Sequence, residues 1–273
     1  MTLPPLLSAG LGPAIAGAVW WAGMLTVGGA IAAAVVGSVT ALAGFDWMVL
    51  LLTFFGSSVL LGRIGRERKR ARSRAVIGKS GARDAWQVLA NGGIFVFGAG
   101  ICILRGAQSP ACDMAAAAAL GALAAATADT WGTEIGMLSS RAPRSILTWG
   151  PLEPGMSGGV SFRGLIATLV GAASIPLIAV LLGWHASAAA AAAAGGVAGA
   201  LADSYLGATL QLRRRSVLSG RFTERAADDD GTPTVWAGGL RWLDNDGVNF
   251  AATSIGAVTA LALAAMLPAS GRS

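Results

Sequence analysis

Charge is scarce in this sequence. Asp, Glu, Lys and Arg make up 12% of its 273 residues, against 54% hydrophobic residues. A soluble domain carries about 25% charge. So few charges cannot cover a water-exposed surface, which excludes an ordinary soluble enzyme and a disordered chain alike. Histidine is almost missing: His185 stands alone. Cysteine is limited to Cys102 and Cys112, which match no metal spacing. Zinc sites built on histidine or on paired CxxC motifs therefore fall away, as do Ser-His-Asp and Cys-His catalysis. No Lys or Arg precedes Arg63, so a cleaved signal peptide with a basic leader is not expected.

What the chain has instead is apolar and small. The mean hydropathy is +0.63, and 39 residues are glycine. About 20 apolar residues cross a hydrocarbon core of about 30 Å. Apolar runs near 6–22, 24–43, 47–63, 86–105, 111–131, 163–183, 187–211 and 247–268 meet that length or approach it. They predict an all-α, polytopic membrane helical bundle of about seven transmembrane helices, within a range of about six to eight. The chain reads as a single integral membrane domain over 1–273, with a basic loop at 63–85 and a second loop at 212–245. Ala- and Gly-rich stretches such as 115–126 and 186–200 suit close helix packing in lipid.

The net charge of +6 does not point to nucleic acid, because the basic residues sit in short loops between apolar runs. All but Arg105 and Arg272 fall in three loops, 63–84, 141–163 and 213–241. Two spans separate each loop from the next, so all three face one side. The positive-inside rule makes that side cytoplasmic and the setting a cell membrane. Most of these arginines read equally well as topology signals.

Two segments echo one another. Ala128-Asp129-Thr130-Trp131 resembles Ala202-Asp203-Ser204-Tyr205, and Asn91-Gly92-Gly93 upstream resembles Ser157-Gly158-Gly159. Each unit runs outward and returns in the same sense, which predicts a parallel two-helix internal repeat.

Ionisable residues in apolar spans are expensive and point to function. Asp129 and Glu134 end one span, Asp203 lies two turns before the end of another, and Asp244 and Asp246 open the last. All converge on one depth at one side. Acidic groups crowded at a membrane rim call for a cation, and oxygen-only ligands select a hard one such as Mg²⁺. On an unbroken helix Asp129 and Glu134 point about 140° apart; Gly132 is expected to loosen the turn and bring both to one ion. Asp244 and Asp246 also read as helix caps, and Glu134 as a solvent-exposed residue beside the membrane. Ser157-Gly158-Gly159 precedes a span and suits phosphate binding through backbone N–H groups, as does Asn91-Gly92-Gly93. Each also reads as a turn with a close helix contact. Arg163 and Arg241 lie near these motifs and are candidates for neutralising phosphate, with Asn91 and Asn249 orienting it.

Five segments carry a family resemblance: Arg83–Gly93 (RDAWQVLANGG), Ala126–Gly136 (ATADTWGTEIG), Pro154–Ser161 (PGMSGGVS), Asp203–Gln211 (DSYLGATLQ) and Leu240–Asn249 (LRWLDNDGVN). In this order they are similar to the successive motifs of an integral-membrane family that contains the plant and cyanobacterial phytyl-phosphate kinases and the animal transmembrane protein 19. The resemblance implies phosphoryl transfer from CTP, or another nucleoside triphosphate such as ATP, to an isoprenyl or phytyl monophosphate, giving the diphosphate. On that reading Asp129, Glu134 and Asp203 are catalytic. These three, with Asp244 and Asp246, hold Mg²⁺. Asn91, Gly92, Gly93, Ser157, Gly158, Gly159, Arg163, Arg241 and Asn249 bind the phosphates. A cation-coupled transporter and CTP-dependent nucleotidyl transfer to a lipid phosphate are the alternatives.

Overall fold

A computed structural model of the chain describes residues 5–266 except 75, 77, 79 and 80, and describes 5–9 by backbone alone. Lys79, Arg272 and the end of the span expected at 247–268 lie outside the described residues. Helices follow in the order α1 (Pro5–Trp21), α2 (Val27–Ala43), α3 (Phe45–Arg63), α4 (Arg66–Ser73), α5 (Ala85–Arg105), α6 (Pro110–Gly136), α7 (Phe162–Leu181), α8 (Ala186–Thr209) and α9 (Asn245–Met266). Every apolar run read from the sequence forms a helix. The addition is α4, eight residues of mostly charged sequence that hydropathy does not register.

Among the described residues, α3 and α5 to α9 are long and apolar enough to cross a membrane. Helix α2 is apolar but has 17 residues, which is about 25 Å at 1.5 Å per residue. Helix α1 has the same length and carries Pro13 inside it. The two pair closely, because Gly12 meets Gly37: a Cβ at Gly37 would lie 3.0 Å from the Gly12 Cα. Such close backbone approach replaces the hydrophobic drive that lipid removes.

Side chains start the helices where the pattern requires it. Asp84 and Gln87 form a reciprocal capping box at α5, Ser109 caps α6 ahead of Pro110, and Ser161 caps α7. These contacts satisfy N–H groups that have no intrahelical partner. Helix α6 is the axis of the bundle, and its alanine-rich middle is buried on every side by α3, α5, α7, α8 and α9. Here again glycine permits contact: a Cβ at Gly256 of α9 would lie 2.7 Å from the Ala125 Cβ of α6. Apolar side chains from α3, α5, α6 and α7, among them Leu50, Phe95, Leu120, Leu123 and Ile175, fill the core on the side away from the basic loops.

The three basic loops share one end, as the sequence requires. Lys69 of α4 pairs with Glu134 of α6 at 2.5 Å, and the Arg72 guanidinium donates to the carbonyl of Ser139. The Val76 carbonyl accepts from the Glu224 N–H at 2.8 Å and from the Thr223 hydroxyl at 3.3 Å. Small sheets stiffen the cap. Strands β1 (Arg144–Ser145) and β2 (Gly159–Val160) pair antiparallel, and β3 (Arg213–Arg215) lies between β4 (Phe222–Thr223) and β5 (Val235–Gly238). Gly239 has φ +73°, and a Cβ there would strike the Gln211 carbonyl. The exposed tryptophans Trp20, Trp21, Trp86 and Trp242 ring the bundle beside this end, where amphipathic rings favour the interface of a bilayer.

The opposite end is closed differently. Cys102 and Cys112 form a disulfide across the α5–α6 turn, a pairing the sequence reading left unassigned. Asp46 accepts from Trp184 Nε1 at 2.6 Å, and Trp47 packs on both Trp184 and Phe95. Asp46 therefore marks the turn at this end.

Candidate functional site

Helix α6 has 27 residues, about 40 Å at 1.5 Å per residue, and so overruns a core of about 30 Å. It ends at Gly136 instead of near residue 131. Its last turns reach into the cap. Asp129 of α6 and Asp203 of α8 each sit about two turns before the end of their helix, on the side of the basic loops. Their carboxyl groups lie close enough to interact. Two carboxyl groups so placed must share a proton or a cation. Asp203 Oδ2 is buried and has no hydrogen-bond partner.

This pair opens on a cavity of about 640 Å³ beneath the loop cap. Glu134, Asp244, Asp246, Asn91 and Asn249 also line it, as do Ser157, Gly158 and Gly159. The carboxylates expected together thus do share one cavity, but they divide into separate groups. Glu134 is engaged by Lys69 Nζ, which also donates to the Leu61 carbonyl at 2.7 Å. Gly132 does not loosen α6, which continues unbroken to Gly136. That glycine serves instead to admit the Thr168 side chain of α7. Asp244 is exposed and accepts from the Gly247 N–H at 3.0 Å, so it caps α9. Asp246 is buried on the first turn of α9. Among the described residues, no three of His, Cys, Asp and Glu converge into a metal-holding cluster. The expected five-carboxylate centre is therefore corrected to one pair, Asp129 with Asp203. Two carboxylates suffice for Mg²⁺ when phosphate and water complete its shell. The buried, unpartnered Asp203 Oδ2 fits that use.

The phosphate-binding expectations change more. Gly92 and Gly93 lie two turns inside α5, so the helix takes up their N–H groups; Gly92 packs on Val36. The upstream half of the repeat thus has no structural counterpart, because Gly158 and Gly159 precede α7 in a turn. Gly158 has φ +80°, and a Cβ there would lie 2.8 Å from the Ala208 Cα of α8. The Gly159 N–H already donates to the Met156 carbonyl at 3.2 Å. This motif therefore fits its loop against α8 and lines the cavity without offering the Gly159 N–H. Arg163 is exposed and does not line the cavity. Arg241 is also exposed and lies over Trp236, its Cζ 5.4 Å from the ring centroid. The cavity's cations are instead Arg72, Arg83, Arg141 and Arg214.

Two residues matter that sequence reasoning passed over. Glu224 lines the cavity and accepts from Ser157 Oγ at 2.5 Å and from Gln211 Nε2 at 2.9 Å. Burial pushes its carboxyl above the usual carboxylate range, opposed by those two hydrogen bonds and assisted by Asp244. No motif marks Glu224, which sits among loop charges. Arg83 donates to Ser58 Oγ at 2.7 Å, and its guanidinium lies over the Phe55 ring at 5.6 Å. Burial lowers it from its ordinary value, and the charge of Glu134 opposes this. Its place at the start of the first of the five segments that carry the family resemblance was the available signal.

A bundle of apolar helices with a polar cavity at its basic end defines a multi-pass integral membrane protein. Residues 11–257 match the family described as Integral membrane protein DUF92, and the chain belongs to that family. It is 32% identical over 248 residues to Protein PGR of Arabidopsis thaliana, covering 83% of this chain and 84% of that protein. It is 34% identical over 184 residues to the uncharacterized membrane protein MJ0933 of Methanocaldococcus jannaschii, covering 67% of this chain and 72% of the other. No solved structure matches it.

Proposed function

We propose that the protein transfers the terminal phosphoryl group of CTP, or of another nucleoside triphosphate, to an isoprenyl monophosphate, giving the diphosphate. The observation that carries this reading is the cavity itself: a carboxylate pair with an unpartnered buried oxygen, walled by four arginine side chains, at the membrane rim. A triphosphate needs both parts. A divalent cation such as Mg²⁺ would supply positive charge to offset that of the phosphates during transfer. Asp129 and Asp203 would hold it. Arg72, Arg83, Arg141 and Arg214 neutralise the phosphates, and Asn91 and Asn249 orient them. Glu224, fixed by Ser157 and Gln211, shapes the cap side of the cavity.

The acceptor is a phosphate monoester, whose second pKa is about 6. Its oxygen is already anionic near neutral pH, so no general base is needed. That oxygen attacks the γ-phosphorus as the bond to the β-bridging oxygen breaks, and nucleoside diphosphate leaves. Catalysis then rests on alignment and charge neutralisation, which suits a site without histidine.

Sidedness has two supports in this proposal. Basic loops gather at the cavity end, and the disulfide sits at the other, as an oxidising compartment favours. The cavity end is accordingly cytoplasmic, where nucleotide is available.

The test is turnover by purified protein in detergent with Mg²⁺, CTP or ATP, and phytyl or geranylgeranyl monophosphate. Mass spectrometry should find prenyl diphosphate together with nucleoside diphosphate. Folded protein that turns over no lipid with either nucleotide would overturn the reading.

A further inference from the structure

A second, apolar cavity of about 120 Å³ runs between α1, α2, α3 and α5 and meets the polar one. Its lining follows α3 from Met48 to Ser58, which spans about 15 Å at 1.5 Å per residue. Ile15, Ala33, Val36, Leu51 and Phe54 make its walls. Arg83, Gln87, Asn91 and Thr130 line both cavities and form the junction. The elongated apolar slot thus ends at a guanidinium. Arg83 is held there on both sides. Its backbone pairs with the α1–α2 turn through Arg83 N–H to the Met24 carbonyl at 2.9 Å and Thr26 N–H to the Arg83 carbonyl at 3.0 Å. Its side chain is fixed by Ser58 and Phe55.

An acyl chain alone has no use for a cation at the mouth of its slot, and a soluble nucleotide has no use for the slot. An amphiphile with one slim chain and a phosphate monoester head uses both. We infer that the slot between α1, α2, α3 and α5 binds the head-proximal part of the isoprenoid tail of a prenyl monophosphate, the rest of the tail lying in lipid, with Arg83 receiving its phosphate at the junction with the polar cavity. This inference rests on the phosphoryl-transfer reading for the choice of an isoprenoid chain. It gives α1 and α2 a task, since they contribute no acidic residue to the polar cavity. It also explains why Asn91 sits one helical turn beyond Gln87 at the junction, its Nδ2 donating to the Gln87 carbonyl at 2.9 Å. Gln87 Oε1 meanwhile accepts from the Asp84 N–H at 3.1 Å, so of these two side chains it is Asn91 that keeps a free amide oxygen at the junction.

The test measures equilibrium binding without nucleotide, by native mass spectrometry of the full chain released from detergent. The probes are geranylgeranyl monophosphate, geranylgeraniol, phosphatidic acid and inorganic phosphate. The monophosphate should bind at least about tenfold more tightly than the alcohol, the scale of one charge-assisted contact. Arg83→Gln should erase that preference, and Arg83→Lys should keep part of it with the same thermal stability. Ala33→Phe, which fills the slot, should weaken the prenyl lipid and leave inorganic phosphate unaffected. Equal binding of phosphatidic acid would overturn the assignment to an isoprenoid chain. Unchanged lipid binding by both Arg83→Gln and Ala33→Phe would overturn the slot itself, even if phosphoryl transfer stands. Binding with the expected dependences, but without diphosphate formation once nucleotide is added, would uphold the lipid site and retire the kinase reading.

Discussion

Asp203→Asn separates catalysis from folding at a single atom. Asp203 Oδ2 is a buried acceptor with no donor, and its carboxyl lies close to that of Asp129. Leaving such a group unsatisfied costs about 1–3 kcal/mol. Asparagine keeps the shape, removes one of the two acids and supplies an N–H₂ group beside Asp129. Stability should therefore rise by about 1 kcal/mol, a shift of about 2–4 °C in Tm for a chain of this size. Activity should move the other way. Losing one ligand to the charge-bearing centre of a phosphoryl transfer costs about 10²–10³ in kcat, or about 3–4 kcal/mol of barrier. The assay is diphosphate formation at saturating lipid and nucleotide, with melting of the same preparation followed by tryptophan fluorescence. A variant that melts earlier and turns over like the wild type would refute the reasoning on both counts. It would mean that the pair is structural and that the oxygen is satisfied in the working protein.

Other expectations follow from the same geometry. Lys69→Met strands Glu134, so it should cost about 1–3 kcal/mol, between the exposed and buried limits for ion pairs. Adding Glu134→Gln should recover most of that loss in a thermal melt. Glu224 has a raised carboxyl pKa through burial, so the folded state binds more protons than the unfolded chain above the ordinary carboxylate value. Its contribution to stability then declines as pH rises through that window. Glu224→Gln keeps an oxygen for Ser157 and Gln211, so its Tm should be flatter with pH than the wild type's; parallel curves would exclude the effect. Chelation by EDTA should abolish turnover without lowering the Tm of nucleotide-free protein, because the two carboxylates need phosphate to complete a Mg²⁺ shell. A large drop in Tm would point to a resident structural metal instead.

The helices were legible because lipid leaves few alternatives: an apolar run long enough to cross must satisfy its backbone internally. The shared end of the basic loops followed from parity, one loop per helical hairpin. That Asp129 and Asp203 share one end and one cavity was legible for a related reason, since a carboxylate among alanines near a helix end is costly to bury and stands out in the pattern. What the pattern did not carry was side-chain partnership. The Lys69–Glu134 pair depends on α4, a charged helix with no apolar period to announce it. Glu224 reaches the cavity only because β3 and β4 fold the loop back over it. Asn91-Gly92-Gly93 and Ser157-Gly158-Gly159 look alike as strings, yet one lies within a helix and the other before one, and the Asp84 cap decides the difference. Arg163 and Arg241 were near the site in sequence and point elsewhere in space, because a residue at a helix entry has several directions open to it.

On the proposed function, the cavity moves a terminal phosphoryl group onto a prenyl monophosphate. The most direct measurement supplies CTP labelled in turn at the γ- and the α-phosphorus, with geranylgeranyl monophosphate, and asks which label enters the lipid. Label from the γ position alone, lost in Asp129→Asn and Asp203→Asn, is the predicted result. Label from the α position with release of pyrophosphate would contradict it and make the protein a nucleotidyl transferase.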